Sequence, residues 1–483
     1  MNNKWIALLM AGSLFLGSAG TYAVVNWQGT PQETNEAHQS AKRSQVEEST
    51  SFVDLEKVSQ AYSLILNRYV EKVDEEQLIE GAVQGMLSTL EDPYSVYMDK
   101  ETSSQFNQTL ESTFEGIGAE VSIVDGKVVI VAPFKDSPAE KAGVKPNDEI
   151  LKVDGESVKG LDLYETTVKI RGEKGTKVEL EIARQGLKDP LKLEIERDEI
   201  PQITVYADVK KQNGKQIGYI ELTSFSKNTA AEFQKELNLM EKRGIDGLAI
   251  DVRGNPGGLL TSVDEILKQL ITDEKPYVQI EQRDGEKDRY FSNLKKKKDY
   301  PIAVLIDKGS ASAAEILAGA LKEAGGYALI GETTFGKGTV QQPVQMADGS
   351  TIKLTLFKWL TPDGNWIHNK GIEPTVKVSQ SEIFQTHPLK LEEPLKKDMN
   401  NEQVKNIQQM LDGLGFAPGR RDGYFNAGTV TAVKAFQQQQ KIKPTGVIDQ
   451  KTASALEAAV IKEIKKEEND FQLQTALRHL AKK

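Results

Sequence analysis

Apolar residues recur at intervals of three and four from Phe52 onward, which is the periodicity of an amphipathic helix. The apolar positions of this first run are Val53, Leu55, Val58, Ala61, Tyr62, Leu64, Ile65 and Tyr69. A second run over about 76–90 has the same periodicity, and DPYSVYM at 92–98 follows it as a proline turn. The pattern predicts an N-terminal helical region over 51–112.

Between about 113 and 197 the pattern changes to short β-rich runs around two short helices. The runs lie at 119–124, 127–134, 149–155 and 177–184, and the helices at 137–143 and 161–170. Ahead of the first run, the glycines of FEGIGAE at 114–120 allow backbone N–H groups to converge on a carboxylate. Beside an exposed strand edge, this loop would capture a peptide C-terminus by strand addition. A tight entry into the strand is the alternative.

From about 200 to 380, near-continuous apolar strands alternate with amphipathic helices. This alternation predicts a largely parallel sheet covered on both faces, a multidomain α/β fold for the whole chain, and an active site at the carboxyl ends of the strands. Two unusual loops lie at such ends. They are RGNPGGLL at 253–260 and KGSASAAE at 308–315.

Helical patterns rich in glutamine return over 395–460 and predict a small all-α domain. They contain an internal repeat, GYFN at 423–426 and GVID at 446–449, in which a glycine turn leads through Asn426 or Asp449 into a helix. The last segment, 461–483, is charged with Leu473, Leu477 and Leu480 on one face. It predicts a helix that packs on the protein or contacts a second copy.

The first 27 residues form an apolar stretch with Lys4 at its start. Its length suffices to span a bilayer, and the early lysine indicates a cytoplasmic start. A removable signal peptide is the alternative, because TYA at 21–23 offers small residues for cleavage. In either case we expect export to the cell membrane or envelope, with the polar residues 28–50 as a linker.

The composition of the chain excludes several classes of partner and of catalytic group. The net charge of −10 gives no electrostatic case for nucleic acid. The absence of cysteine excludes disulfides and thiolate nucleophiles. Only four histidines are present, His38, His368, His387 and His479, so we expect neither a metal site nor a cofactor.

Ser312 raises the main question about catalysis. The sequence SAAE at 312–315 reads as a capping box, in which the serine oxygen accepts an N–H group and Glu315 reaches back. A serine at a helix start after a buried strand is also a place where N–H groups stabilise an oxyanion. Spacing alone favours the cap, and Ser310 reads as a loop or cap residue.

A serine nucleophile needs a base, and no histidine has the local signature of a triad. A buried lysine is the other choice, because burial disfavours its charged form. In FGKGTVQQ at 335–342, Lys337, Thr339 and Gln341 would share one face of a strand, so that Gln341 could orient the lysine. The alternative is that Lys337 is a surface lysine.

Glycines 254, 257 and 258 form a second loop. This loop is either an oxyanion hole together with Ser312 or a tight turn.

Two segments resemble known modules. GIGAEV at 116–121, SPAEKAGVKPNDEILKVDG at 137–155 and KIRGEKGT at 169–176 resemble a PDZ domain over 113–197. That resemblance implies a β-sandwich-like fold and a peptide site at Gly116, Ile117, Gly118 and Ala119. The 395–460 segment is similar to bacterial peptidoglycan-binding modules, with a purely structural appendage as the alternative.

The motifs GSASAAE at 309–315, GETTFGKGTVQQ at 331–342, DVRGNPGG at 251–258 and NKGIEPTV at 369–376 closely resemble the carboxy-terminal processing peptidases. The resemblance covers about 50–380 and implies an α/β protease core over 198–380. It also implies Ser312 as nucleophile, Lys337 as general base and Gln341 as the residue that orients it. Oxyanion donors would come from Gly257 or Gly258.

Two further residues bear on this resemblance. Some members of the family have an aspartate where this chain has Glu323, which a solvated helix face explains equally well. Arg171 is a candidate for coupling the PDZ segment to the active site, although a surface arginine is the commoner case.

The resulting hypothesis is a membrane-tethered serine endopeptidase that cleaves proteins near C-terminal tails bound by the PDZ domain. Further partners would be peptidoglycan and a second copy of the chain. Two alternatives remain from other classes: a non-catalytic cell-wall scaffold, and an acyl-CoA enzyme of the crotonase-like layout.

Overall fold

A computed structural model describes residues 52–482, with gaps at 125, 162, 185, 186, 188 and 390. The predicted membrane anchor or signal peptide and the predicted linker therefore lie outside the described residues. Within the described ranges, no helix combines the length and the apolarity that crossing a bilayer requires.

The N-terminal region begins with helices whose starts are capped by aspartates. Asp74 accepts backbone N–H groups at the start of the second helix, and Asp99 does so at the start of the third. Its elements are α1 (Phe52–Arg68), α2 (Glu75–Ser88), strand β1 (Val96–Met98) and α3 (Lys100–Leu110). The first two helices bear out the apolar periodicity, whereas the strand was not predicted.

A small antiparallel domain follows, joined to the rest of the chain by a two-stranded ribbon. Its elements are β2 (Thr113–Gly116), β3 (Ala119–Val124), β4 (Lys127–Pro133), α4 (Pro138–Lys141), β5 (Glu149–Val153), β6 (Glu156–Ser157), α5 (Leu163–Ile170), β7 (Lys177–Ala183), β8 (Leu191–Glu196) and β9 (Asp198–Pro201). The sheet order is β3-β4-β5-β7-β8, with β6 on β5, and the ribbon is β2 with β9. The helix predicted over 137–143 is present as α4, with Ser137 as its cap and Pro138 in its first turn.

The central domain contains two sheets. Its elements are β10 (Val205–Gln212), β11 (Lys215–Leu222), α6 (Thr229–Arg243), β12 (Gly247–Asp251), α7 (Leu260–Leu267), β13 (Val278–Glu281), β14 (Lys287–Tyr290), β15 (Ile302–Ile306), α8 (Ala313–Glu323), β16 (Ala328–Gly331), β17 (Thr339–Gln345), β18 (Thr351–Leu360) and β19 (Val376–Lys377). The first sheet has the order β10-β11-β12-β15-β16-β19, and only its β10–β11 pair is antiparallel. The predicted, largely parallel sheet is confirmed.

The second sheet is antiparallel, with the order β1-β18-β13-β14 and β17 also on β18. Strand β1 comes from the N-terminal region and pairs Val96 with Lys353 of β18. The predicted helical region therefore contributes a strand to the central domain, from the segment 92–98 that was predicted as a proline turn. Periodicity could not reveal this, because a three-residue strand carries no measurable pattern.

The glutamine-rich segment forms a small helical domain. Its elements are a 3-10 turn (Glu382–Gln385), α9 (Glu402–Gly413), α10 (Ala427–Gln439) and α11 (Gln450–Ile464). The internal repeat is visible as two matching caps. The Asn426 side chain accepts the Thr429 N–H group at 2.9 Å, and Asp449 accepts that of Thr452 at 2.8 Å.

The predicted C-terminal helix is divided. Residues 461–464 end α11, a 3-10 turn follows at Glu467–Asn469, and α12 spans Phe471–Ala481. The apolar face predicted for this segment packs on the side of the parallel sheet opposite to α6, α7 and α8. The contacting residues are Leu473, Ala476, Leu477 and Leu480 on the helix and Ile217, Ala249, Ala303, Leu305 and Ile330 on the sheet. This helix therefore completes the central domain, although the helical domain precedes it in the chain.

Candidate active site

Ser312 lies where the loop after β15 enters α8, and its backbone is strained. Its φ of 54° and ψ of −115° lie outside the regions that a side chain ordinarily allows. Such strain persists only when the surroundings hold it, and it is concentrated at functional sites. The side chain is only 5% exposed.

The loop before Ser312 is fixed by two side chains. Asp307 accepts N–H groups from Gly309 and Ser310 of its own loop and from Gly254 of the neighbouring loop. The Ser310 hydroxyl donates to the carbonyl of Val252 at 2.7 Å. Ser310 therefore joins two loops, in agreement with a structural role.

Glu315 connects Ser312 with the segment around Lys337. Its Oε2 accepts the Ser312 N–H group at 2.9 Å and the Lys337 N–H group at 2.8 Å. Its Oε1 accepts from the Gly336 N–H group at 2.7 Å and the Thr334 hydroxyl at 2.6 Å. Because two of these bonds end on one oxygen atom, the backbones of Ser312 and Lys337 are at most two hydrogen-bond lengths apart. Burial raises the pKa of Glu315, against the opposing effect of these hydrogen bonds.

Lys337 is buried, with 3% of its surface exposed. Burial and the nearby charge of Lys353 lower its pKa to about 7, although Asp92 and Glu315 act in the opposite direction. Its Nζ lies 4.8 Å from the centre of the Tyr94 ring. The lysine can thus be neutral at physiological pH, as a general base must be.

Gln341 follows on β17 and is completely buried. Its Nε2 donates to the hydroxyl of Thr339 at 2.9 Å and to that of Thr355 at 3.1 Å. Its Oε1 is buried and has no hydrogen-bond partner among the described residues. A buried carbonyl without a donor is costly, so this oxygen has the capacity to accept a further N–H group.

The glycine loop at 253–258 approaches the nucleophile loop closely, and the Ala311 N–H group donates to the carbonyl of Asn255 at 2.9 Å. The Gly257 N–H group is already bound to the Asn255 side chain at 2.8 Å, and that of Ser312 to Glu315. In the described part of the chain, the N–H groups of Gly258 and Ala313 donate to no acceptor. Of the three residues expected to donate to an oxyanion, Gly258 thus has an N–H group that is not already engaged, whereas those of Gly257 and Ser312 donate within the protein.

A cavity of about 540 Å³ is lined in part by Tyr94, whose ring centre lies 4.8 Å from the Nζ of Lys337. Its lining includes Tyr94, Thr339, Trp366 and His368. The rings of Trp366 and His368 are stacked at 5.1 Å, and Tyr94 meets His368 edge-on at 6.1 Å. Burial lowers the pKa of His368. The remaining lining residues include Glu91, Asp92, Ser95, Thr355 and Asn369, so the cavity wall combines aromatic rings with polar and acidic side chains.

The PDZ-like loop is held against the start of α4. The carbonyl of Ile117 accepts the N–H group of Ala139 at 2.8 Å, and that of Gly118 accepts the N–H group of Phe134 at 2.9 Å. Gly116 ends β2 and Ala119 begins β3. All four predicted residues thus lie together at the junction of the ribbon and the small sheet.

Arg171 and Glu323 lie away from the nucleophile. Arg171 follows α5, and its guanidinium lies 4.8 Å from the centre of the Phe114 ring on the ribbon strand β2. Glu323 ends α8, at the opposite end of that helix from Ser312, and accepts the Asp363 N–H group at 2.8 Å.

Sequence reasoning missed several residues that shape the site. Lys353 had no signal, and Tyr94 lies in DPYSVYM at 92–98, which was interpreted only as a proline turn. Arg253 lies inside the quoted motif DVRGNPGG but received no role, and Glu315 was interpreted only as a capping residue. The motif DVRGNPGG was the signal that could have identified Arg253, and the capping motif SAAE was the signal that could have identified Glu315.

Four segments match known families. Residues 216–378 match Peptidase family S41, and residues 116–196 match the PDZ domain. Residues 14–102 match the Activating protease CtpB N-terminal domain, and residues 400–456 match the Putative peptidoglycan binding domain.

Two full-length relatives from Bacillus subtilis are similar over most of the chain. The carboxy-terminal processing protease CtpB is 56% identical over 99% of both chains. The carboxy-terminal processing protease CtpA is 42% identical over 90% of this chain and 92% of its own. A probable CtpA-like serine protease of Staphylococcus haemolyticus is 34% identical over 86% of this chain and 83% of its own.

Proposed function

Because this chain belongs to the carboxy-terminal processing proteases of peptidase family S41, we propose that its peptidase activity uses a dyad of Ser312 and Lys337. The main support is the pair of hydrogen bonds by which one oxygen of Glu315 holds the backbone of both residues. The lowered pKa of Lys337, about 7, provides a base that is neutral when the reaction begins.

In the proposed reaction, neutral Lys337 takes the proton of the Ser312 hydroxyl as its oxygen attacks the carbonyl carbon of the scissile bond. The N–H groups of Gly258 and Ala313 donate hydrogen bonds to the negatively charged oxygen that forms from the carbonyl. The lysine then gives the proton to the leaving amine, which departs with a new N-terminus. Water hydrolyses the acyl-enzyme with Lys337 again as base, which restores Ser312.

Gln341 has a defined place in this scheme. When Lys337 takes up a proton, its ammonium group needs acceptors in a buried site. The Oε1 atom of Gln341 is buried without a partner among the described residues, and its amide plane is fixed by Thr339 and Thr355. We therefore assign Gln341 the role of orienting the lysine.

The test is cleavage of a folded protein that carries a C-terminal tail, followed by mass spectrometry. Ser312→Ala and Lys337→Met should each slow cleavage by at least about 10³-fold, as for other nucleophile and base removals. Lys308→Met is the matched control, because Lys308 is an exposed lysine of the nucleophile loop, and it should retain the wild-type rate. Wild-type cleavage by either dyad variant would refute the assignment and favour a non-catalytic scaffold.

Tail recognition is proposed for the small antiparallel domain, with Gly116, Ile117, Gly118 and Ala119 at the site for the terminal carboxylate. Arg171 is proposed to couple this domain to the protease through the ribbon, because its guanidinium lies on Phe114 of β2.

For the helical domain we propose peptidoglycan as ligand. For residues 1–27 we propose a membrane anchor or signal peptide that places catalysis outside the cytoplasmic membrane.

A homodimer is proposed through the N-terminal helices. Large apolar residues of α1 and α2 are solvent-exposed, among them Leu55 at 60%, Leu64 at 57%, Ile79 at 54% and Met86 at 56%. Exposed large apolar side chains on two consecutive helices are of the kind that a second copy of the chain would cover. Light scattering over a range of concentrations should give the dimer mass, and Leu55→Glu with Leu64→Glu should give the monomer mass.

A further inference from the structure

We propose that Asp470, which lies directly before α12, is a positioning residue for catalysis, because it holds Arg253 and thereby the glycine loop at 253–258. The proposal rests on the function proposed above, in which Gly258 of this loop donates to the oxyanion. Asp470 follows the helical domain in sequence and is remote from the quoted catalytic motifs, so no local pattern points to it.

Arg253 is held by a set of hydrogen bonds that leaves its guanidinium no freedom to turn. Its Nη1 and Nη2 donate to the two carboxylate oxygens of Asp470, each at 2.8 Å. Its Nε donates to Asp251 at 3.0 Å, and its Nη2 does so at 2.6 Å. Nη1 also donates to Gln472 at 3.0 Å. Two-pronged pairing of this kind fixes orientation as well as distance.

Asp470 is itself firmly placed. It accepts the N–H group of Leu473 at 2.9 Å as the cap of α12, and the Gln380 side chain donates to it at 2.6 Å. The helix that it caps is anchored by Leu473, Leu477 and Leu480 on the parallel sheet. The Asp470 carboxylate therefore holds Arg253 at a fixed position relative to the parallel sheet.

The loop that follows Arg253 needs such an anchor. Gly254, Gly257 and Gly258 all have positive φ, at 63°, 111° and 144°. Glycines restrict the backbone least, so the loop geometry must come from its contacts. At one end the Gly254 N–H group binds Asp307 of the nucleophile loop, and Arg253 is the adjoining residue. Further along, the Asn255 side chain donates to the carbonyl of Leu222 at 2.6 Å, and the carbonyl of Gly257 accepts the Phe225 N–H group at 3.0 Å. Arg253 and Asp307 thus fix the entrance of the loop, and we infer that a shift of Arg253 would move the start of the segment that carries Gly258.

Asp470→Asn is the substitution that tests the positioning role of Asp470 most directly. Asparagine has nearly the same shape, caps helices as well as aspartate and keeps one oxygen for Arg253. Asp251 remains to neutralise the arginine. Because an oxyanion donor acts only in the transition state, we expect kcat to fall about 10-fold or more with KM unchanged.

Glu467→Gln is the matched control. Glu467 belongs to the same segment and pairs with Lys210 of β10 at 2.7 Å, which also ties this segment to the central domain. It makes no hydrogen bond with Arg253. If these residues only anchored the segment before α12 to the central domain, both substitutions would lower kcat. A positioning role for Asp470 predicts that only Asp470→Asn lowers kcat. Melting temperatures of both variants should be measured alongside.

A double-mutant cycle tests whether Asp470 acts through Arg253. If it does, Arg253→Gln with Asp470→Asn should be no slower than Arg253→Gln alone. Rate losses that multiply would overturn the proposal, and so would a wild-type kcat for Asp470→Asn. If neither Asp470→Asn nor Asp470→Glu gives a folded protein, the residue is structural and the proposal fails. An active Ser312→Ala variant would instead refute the proposed function, so the two failures are distinguishable.

Discussion

Two buried lysines, Lys337 and Lys353, lie close enough for the charge of one to affect the other. Burial lowers the pKa of Lys353 to about 8, against the attraction of Asp92. The pKa of Lys337 is lowered to about 7, first by burial and then by Lys353. Lys353 reaches its place because β18 pairs with β1, which brings its Nζ to 5.3 Å from the centre of the Phe106 ring.

The pH dependence of cleavage follows from the pKa of Lys337. The base must be neutral, so kcat/KM should rise with pH through about 7 and level off above it. Lys353→Met removes a like charge and keeps an apolar stem. The pKa of Lys337 should then rise, and the acid limb of the profile should move to higher pH by up to about one unit.

Lys358→Met provides the comparison for this shift. Lys358 lies on the same strand, but its side chain is 48% exposed and it pairs with Glu281. Its removal should leave the acid limb in place. An unchanged profile for Lys353→Met would show that the charge of Lys353 does not contribute to the pKa of Lys337.

At the scale of structural elements, the geometry of the active site depends on how closely the glycine loop at 253–258 approaches the backbone around Phe225. A Cβ atom on Gly258 would lie 2.1 Å from the carbonyl oxygen of Phe225. Gly258→Ala should therefore displace the loop and lower kcat by at least about 10²-fold, the usual loss for an oxyanion donor. Steady-state kinetics with the tailed substrate would measure it.

Gly254→Ala is the control within the same loop. Its φ is also positive, at 63°, but a Cβ there would meet no atom within 4 Å. Alanine in this conformation costs about 1–2 kcal/mol of stability. Activity should persist in Gly254→Ala and be lost in Gly258→Ala, and equal losses would refute the steric argument.

Local pattern was sufficient for elements that are built from neighbouring residues. The alternation around 216–332 and the paired caps at Asn426 and Asp449 follow from periodicity and short-range hydrogen bonds. The pairing of β1 with β18 and the packing of α12 join residues far apart in the chain. Their partners are chosen by tertiary packing, which no window of sequence contains.

The same limit applies within the site. The spacing of Ser312 and Glu315 predicted that the carboxylate reaches back to the serine N–H group, as observed. That its second contact is the backbone of Lys337 depends on how the segment 334–337 returns to α8. The resemblance named Ser312 and Lys337 as the dyad, while Tyr94, Lys353 and Asp470 required the assembled fold.

For the whole molecule, the ribbon of β2 and β9 determines how the small domain is attached. Gly116 and Asp198 are paired across this ribbon, so the domain leaves and returns at one point. Residues 117–197 can therefore be replaced by Asn-Gly, which closes a two-residue hairpin. The shortened protein should keep a cooperative melting transition but lose its preference for an intact C-terminal tail.

Paired substrates with a free or an amidated C-terminus would measure that preference. The full chain should cleave the free-tailed substrate faster, whereas the shortened chain should cleave both at one rate. A preference that survives the excision would place tail recognition outside this domain.

The order of elements along the chain has a consequence for biosynthesis. Strand β16 ends at Gly331, but α12, which covers its sheet, begins at Phe471. A ribosome therefore makes the whole helical domain before the cover of the sheet exists. Until that helix emerges, Ile217, Leu305 and Ile330 lack the apolar cover that Leu473, Leu477 and Leu480 provide. A nascent chain halted within the helical domain should accordingly be inactive and a target for chaperones, so that proteolytic activity begins only late in synthesis.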